Sequence, residues 1–262
     1  MTTCRLPVDF AEYFQIANAA ERFDEAQSLA ARIEQAGVPL GPNLDHAAIF
    51  TDPPHLVAGP LKRLGYVSGW DARCYPSPVD GQDYINVSAR LPVGSPRRAE
   101  GWFDYVAVVH PVDAAARDHM LSQGYGNPFI HHLTWCIVPP PRNGESDAAF
   151  AGVLVRFMAR ARHLLAEAIG EQPGTLILAL PPELADDGAV MRQVPEWVGG
   201  LPREQYQVEP MQGGGFLLQF FVLTGGRIEV ALRVGTSQTF NPRSVQKISR
   251  DEISAVQSKG AK

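Results

Sequence analysis

Residues 129–138 read FIHHLTWCIV, an apolar run with two adjacent histidines near its start. A short apolar run of this kind is typical of a buried β-strand. An earlier stretch, residues 43–50, reads NLDHAAIF and repeats the pattern of an apolar residue, a polar residue, a histidine and an apolar run. The repetition predicts two equivalent strands, each of which carries a histidine: His46 and His132.

A third predicted strand, residues 227–233, reads RIEVALR and carries one carboxylate, Glu229, in an apolar setting. Two histidines and one carboxylate from three strands form a facial metal site with open coordination positions. Imidazole and carboxylate together suit Fe(II), Mn(II), Ni(II) or Zn(II). We therefore interpret His46, His132 and Glu229 as candidate metal ligands. The alternative is that both histidines are ordinary strand residues with no ligand role.

The composition is that of a globular protein, with 45% hydrophobic and 19% charged residues, and it excludes wholesale disorder. The net charge of -5 gives no reason to expect nucleic acid or an anionic membrane as a partner. Three scattered cysteines predict no disulfide framework. The N-terminus has no signal-peptide pattern, and no apolar run approaches the roughly 18 residues that span a bilayer. We expect a cytoplasmic protein that acts on small molecules, and the sequence leaves a homo-oligomer open.

The predicted elements occur twice in the order strand, helix and three strands, which predicts an α+β fold of two βαβββ modules. The repeat lies in the order of the elements and in the placement of the histidines, since the two copies share little residue identity. The predicted parts are an N-terminal helical extension at 1–40, a first module at 41–112, a connecting helix and loop at 113–128, a second module at 129–236 with an irregular insertion at 181–210, and a C-terminal segment at 237–262.

This order, together with the places of His46, His132 and Glu229, resembles the vicinal oxygen chelate superfamily over residues 43–234. The resemblance implies two modules that form a cupped, curved mixed sheet around a divalent metal. It also implies one ligand on the first strand of each module and a carboxylate on the last strand of the second. The three candidates fall at those places. Their intervals are long for the family, and the insertion at 181–210 offers an explanation for the second interval.

Alignment of the two histidine stretches places His132 opposite His46. Strict alternation along a strand then sends His131 to the other face of the sheet. We expect a supporting or structural role for His131 and group it with Arg233 as a candidate for the catalytic site.

Asp104 lies on the predicted last strand of the first module, at the place that Glu229 occupies in the second. A similarity to glyoxalase I implies a fourth ligand from that strand. Aspartate is shorter than the usual glutamate, however, so a polar residue at the start of a strand is the favoured interpretation of Asp104.

Arg233 follows Glu229 by four residues, so alternation places both on one face, about 13 Å apart along the strand. An arginine there is suited to bind a substrate carboxylate with two hydrogen bonds. The alternative is that Arg233 marks the exit of the strand into solvent. Further candidates for lining the site are Tyr84, Gln219, Phe221 and, more weakly, Arg90. The polar segment 236–243 is either a cover over the site or an ordinary surface loop.

Extradiol dioxygenases of the superfamily hold Fe(II) with two histidines and one glutamate, and the resemblance implies the same here. The predicted activity is oxidation by dioxygen of a small chelating substrate, either a 2-oxo or hydroxy acid or a catechol. A faint likeness to the 2-oxoadipate dioxygenase/decarboxylase branch and the position of Arg233 favour a carboxylate substrate. Two alternatives remain: a glyoxalase-like isomerase or lyase with a redox-silent ion, and a metal-free protein that sequesters an aromatic compound.

Overall fold

The computed structural model describes residues 14–16, 18–76, 83–99, 102–103, 105–211, 214–222, 228–235 and 246–247, without the side chains of 42–43, 68–76, 98–99 and 246–247. The chain divides into two compact units, with Pro42–Thr134 as the main part of one and Trp135–Ser244 as the main part of the other. Of the predicted N-terminal helix, the described part is α1 (Ala19–Gln35).

The first unit contains one strand–helix–strand–strand–strand module. Its main elements are β1 (Leu40–Phe50), α2 (His55–Arg63), β2 (Val67–Pro76), β3 (Asp83–Arg90), the short helix α3 (Pro96–Ala99) and β4 (Tyr105–Pro111). The strands lie in the order β2-β3-β4-β1, and β4 runs parallel to β1 while the other pairs are antiparallel. The connecting helix α4 (Ala114–Leu121) follows.

The second module, which begins at the end of the first unit and continues through the second, repeats the order. Its main elements are β5 (Phe129–Ile137), α5 (Asp147–Ile169), β6 (Leu176–Leu180), the helices α6 (Pro182–Ala185) and α7 (Gly188–Trp197), a 3-10 turn (Arg203–Gln205), β7 (Tyr206–Pro210), β8 (Phe216–Val222) and β9 (Ile228–Val234). Strands β9, β8 and β6 are antiparallel neighbours, and β7 adds a parallel edge strand.

The predicted fold class, α+β with two βαβββ modules in a mixed sheet, is confirmed. This is the arrangement that the resemblance implied. The description of 181–210 as irregular is wrong, because those residues form α6, α7 and β7. The many prolines and glycines suggested loops there, but the prolines at 182 and 202 lie at helix starts, where a missing N–H costs no hydrogen bond. A short two-stranded pairing of β10 (Gln246–Lys247) with β2 completes the described elements.

The long helix α5 has clear sequence reasons for its two ends. The Ser146 side chain accepts a hydrogen bond from the backbone N–H of Ala149, which caps the first turn. Gly170 ends the helix with a φ of 75°, a left-handed conformation that suits glycine. The buried Arg162 then ties α5 to the following loop, because it donates to the carbonyl oxygens of Pro173 and Gly174.

The core of the first unit covers the same side of β1 that carries His46. Ala48 and Phe50 share the alternation of His46 along β1, and both belong to an apolar cluster. Helix α4 contributes Ala116 and Met120 to this cluster. Its remaining buried members are Tyr84, Tyr105, Ala107, Val109 and Phe129. Burial of each large side chain stabilises the fold by about 1.5–3 kcal/mol, so this side of the first module is a packed core.

Within the described residues, no helix has both the length and the apolar character needed to cross a membrane.

Candidate metal centre

His46 lies on β1 between two hydrogen-bond partners. Its Nδ1 is 2.7 Å from a carboxylate oxygen of Asp45, and its Nε2 is 3.0 Å from the hydroxyl oxygen of Thr134. An ionised carboxylate only accepts hydrogen bonds, so Nδ1 carries the hydrogen and Nε2 carries the lone pair. The edge of the Tyr105 ring packs at a centroid distance of 4.8 Å and further limits rotation of the imidazole. The ring is therefore held with Nε2 as the nitrogen that could bind a metal.

His132 lies on β5 and is paired with its neighbour. The Nδ1 atoms of His131 and His132 are 2.8 Å apart, and both side chains are buried. The ring of His132 also lies near that of His46, with centroids 5.7 Å apart. His132 is thus brought to His46 as the repeated sequence pattern predicted.

The prediction that His131 points to the opposite face is wrong. Phe129 stacks on Phe50, with ring centroids 5.0 Å apart, while Thr134 bonds to His46. His46 and Phe50 lie on one side of β1. Phe129 and Thr134 both contact that side, although strict alternation would place an odd-numbered and an even-numbered residue of β5 on opposite faces. Alternation is therefore interrupted between 129 and 134, as at a bulge, and the adjacent imidazoles come into direct contact.

Glu229 lies on β9 and completes the group. His46, His132 and Glu229 are 4%, 7% and 5% exposed, and each offers a ligand atom within 4.8 Å of the other two. Ligand atoms at about 2.1 Å from one ion lie roughly 3 to 4 Å apart. Small side-chain rotations would therefore bring the three atoms onto one ion. A divalent cation would also offset the cost of burying the carboxylate. The donor set and its geometry fit a metal.

The strand ladder of the second unit arranges further polar residues beside Glu229. Glu229 lies opposite Phe221 on β8, and Arg233, which is half-buried, lies opposite Leu217. Gln219 lies between them, opposite Ala231, and is buried. Alternation along β8 and β9 places these side chains on the face that carries Glu229.

Other predicted site residues have different places. Tyr84 is fully buried in the apolar cluster of the first unit, and Arg90 is exposed with its guanidinium 4.8 Å from the Tyr105 ring centroid. Asp104 and the whole predicted cover segment, 236–243, lie outside the described residues.

From the sequence alone, the four other histidines fall on helices or at strand ends, which predicts surface or capping positions. His55, His119 and His163 are exposed, but His110 on β4 is only 3% exposed, so the expectation is wrong for this residue. Burial lowers the pKa of His110 below its usual range, an effect that the Asp52 carboxylate opposes and the Arg117 guanidinium reinforces. Its position just before Pro111 suggested a strand end, yet β4 extends through both residues.

Sequence reasoning missed the partners that orient the two histidines. Asp45 precedes His46 in the quoted pattern, where it counted only as a polar residue. Thr134 is two residues from His132, so simple alternation places it beside that ligand, and this signal was available. The contact between His131 and His132 had no such signal, because it depends on the interrupted alternation.

Comparisons with known proteins gave limited matches. No protein-family model matches the chain, and no curated protein matches it. Among solved structures, a triple mutant of 4-hydroxymandelate synthase from Streptomyces coelicolor aligns with 16% identity and a TM-score of 0.43, covering 78% of this chain and 50% of that one. A xylose isomerase-like TIM barrel/4-hydroxyphenylpyruvate dioxygenase fusion protein aligns with 15% identity and a TM-score of 0.38, covering 76% and 27%. The chain thus spans half or less of the length of these proteins.

Proposed function

We propose that this protein is a metal-dependent dioxygenase that holds Fe(II) with His46, His132 and Glu229 and oxidises a small chelating substrate. One observation carries the proposal: three buried side chains from separate strands bring two imidazoles and one carboxylate within 4.8 Å of one another. This is the donor set of non-haem Fe(II) oxygenases, in which open coordination positions remain. When bound, the iron would supply a common binding point for two substrate oxygens and dioxygen.

The residues of the chain hold and orient the reactants. Asp45 keeps His46 in the tautomer that presents Nε2. Because that lone pair serves either the Thr134 hydroxyl or a metal, we expect Thr134 to release it when a metal binds. The burial of the three side chains limits the access of water, which strengthens electrostatic interactions with the substrate.

The row of polar residues on β8 and β9 supports a carboxylate substrate, such as a 2-oxo or hydroxy acid. Arg233 lies on the Glu229 side of β9, and its guanidinium is always charged and suited to bind a carboxylate. Between these two positions, the side-chain oxygen of Gln219 is buried and has no hydrogen-bond partner among the described residues. A substrate hydroxyl would satisfy this acceptor. A catechol would use the metal and Gln219 but would leave Arg233 without a role.

The experiment is oxygen uptake by anaerobically purified protein loaded with Fe(II). Separate additions of 2-oxo acids, 2-hydroxy acids and catechols are expected to show stoichiometric oxygen consumption with one class. His132→Ala should lose both metal and uptake, whereas His163→Ala, which changes an exposed histidine, should keep both. If Fe(II) binds at the triad and no compound of these classes stimulates uptake, the dioxygenase proposal fails.

A further inference from the structure

The two ligand histidines have unlike partners. Asp45, a carboxylate, pairs with His46, whereas the imidazole of His131 pairs with His132 at 2.8 Å between Nδ1 atoms. A carboxylate can only accept, so it fixes the tautomer of His46. A neutral imidazole nitrogen either donates or accepts. The His131–His132 hydrogen bond therefore exists in two forms, which differ in which Nδ1 atom carries the hydrogen.

These two forms differ in their capacity to bind a metal. If His131 donates, the Nδ1 of His132 accepts, and neutral His132 then carries its hydrogen on Nε2. That hydrogen blocks Nε2 as a ligand. If His132 donates, its Nε2 has a free lone pair, and His131 carries its own hydrogen on Nε2. Only the second form is compatible with coordination by Nε2, because a metal ligand needs a deprotonated nitrogen.

We propose that His131 is a positioning residue that accepts the Nδ1–H of His132 and so fixes the tautomer in which Nε2 of His132 binds the metal. The role rests on the proposed metal site. Metal-binding histidines usually donate their second ring N–H to a carboxylate, a carbonyl group or water, and loss of such a partner typically weakens metal binding by 10–100-fold. Here the acceptor is a neutral imidazole in direct sequence contact with the ligand.

The interrupted alternation of β5 is what makes this pairing available. In a regular strand His131 would face away from His132, and the two rings would not meet. The structure instead places the His131 ring on the side of Tyr84, with centroids 6.0 Å apart, and of His132, with centroids 5.1 Å apart. Both side chains are at least nine-tenths buried. Water therefore has little access to replace the imidazole as the acceptor.

Two variants of the full chain separate positioning from packing. His131→Asn places a carbonyl oxygen near the former Nδ1, whereas His131→Leu offers no acceptor. Zn(II) affinity measured by chelator competition is expected to fall about 10–100-fold for His131→Leu and to stay within about threefold of the native protein for His131→Asn. Equal affinity in both variants, whether unchanged or reduced, would overturn the proposal.

A second measurement does not depend on the folding of either variant. Long-range ¹H–¹⁵N NMR spectra of the native protein loaded with Zn(II) report which ring nitrogen of each histidine carries the hydrogen. The expected result is a hydrogen on Nδ1 of His132 and on Nε2 of His131. A hydrogen on Nε2 of His132, with the metal on Nδ1, would refute the assigned role. If the native protein binds no Zn(II), Fe(II) or Mn(II), the metal site itself fails, which is a distinct outcome.

Discussion

The two modules share an order of elements but differ in what else lies on the face that carries their candidate ligands. In the first module α4 covers that face, and Met120 packs there with Phe50 and Tyr105. In the second module the strand that carries Glu229 also carries Arg233. The first module thus adds one candidate ligand, His46, to a packed core, while the second combines two candidate ligands, His132 and Glu229, with groups suited to bind a substrate.

The apolar residues of the two modules match this division of roles. The cluster beside Glu229 in the second unit contains two alanines, Ala179 and Ala231, together with Met211 and Leu217. The cluster of the first unit contains four aromatic residues, Phe50, Tyr84, Tyr105 and Phe129, together with three alanines, a valine and a methionine. Buried aromatic rings contribute large contact areas to the core of the first unit, and the cluster beside Glu229 contains none. The two modules therefore share an order of helices and strands but differ in the side chains that fill it.

The largest expected effect comes from the second module. Glu229→Gln keeps the shape of the side chain but removes its charge, so Fe(II) affinity should fall at least about 1000-fold, or about 4.1 kcal/mol. The matched control is Glu209→Gln, which changes another buried carboxylate of the same unit, on β7. Metal titration by calorimetry under nitrogen measures both. Native-like affinity in Glu229→Gln would remove Glu229 from the site.

A substitution in the packed face of the first module should lower the free energy of unfolding and leave metal affinity unchanged. Met120→Ala removes a fully buried side chain from the cluster and should lower the free energy of unfolding by about 3 kcal/mol, within the range of such core truncations. Urea unfolding of the metal-free protein measures this loss. The half-buried Met191 of α7 supplies the control Met191→Ala, with a smaller loss expected. A large loss of metal affinity in Met120→Ala would contradict the division of roles.

A substitution of Arg233 tests substrate binding by the second module separately from metal binding. Arg233→Met removes the carboxylate partner and should weaken substrate binding at least tenfold, or about 1.4 kcal/mol, with unchanged metal occupancy. Arg63→Met changes an exposed arginine on α2 of the first module and should leave binding unchanged. Affinity is measured by titration of the oxygen-free Fe(II) protein with the active substrate. Unchanged affinity in Arg233→Met would favour its interpretation as a strand exit and weaken the case for a carboxylate substrate.

The smallest expected effect is a pH dependence in the first module. Burial depresses the pKa of His110 in the folded state, so the unfolded state binds more protons near its own pKa of about 6.5. Stability from neutral His110 is therefore complete above that pH and declines as the pH falls below it. Urea unfolding at pH 7.5 and 5.5 should show a smaller decline for His110→Leu than for the native protein. The exposed His163→Ala should behave like the native protein, and identical declines in all three would contradict this role of His110.

The sequence predicted the framework because periodicity and chain order carry that information. The two histidine patterns located β1 and β5, and the single carboxylate in an apolar strand located Glu229. Prediction failed where tertiary contacts override the local pattern. The place of His131 depends on an interruption of alternation, and the burial of His110 depends on β4 extending to Pro111. The packing of α4 over the face that carries His46 could not be predicted either. A short helix with two buried residues has no sequence signal that identifies the surface on which it packs.

The most direct measurement is anomalous X-ray diffraction at the iron edge from crystals grown with Fe(II) under nitrogen. The expected map has one peak about 2.0–2.2 Å from Nε2 of His46, Nε2 of His132 and a carboxylate oxygen of Glu229. His131 should lie outside bonding distance, with its Nδ1 directed at His132. A peak bonded to His131 in place of His132, or fully occupied iron away from these three residues, would contradict the proposed centre.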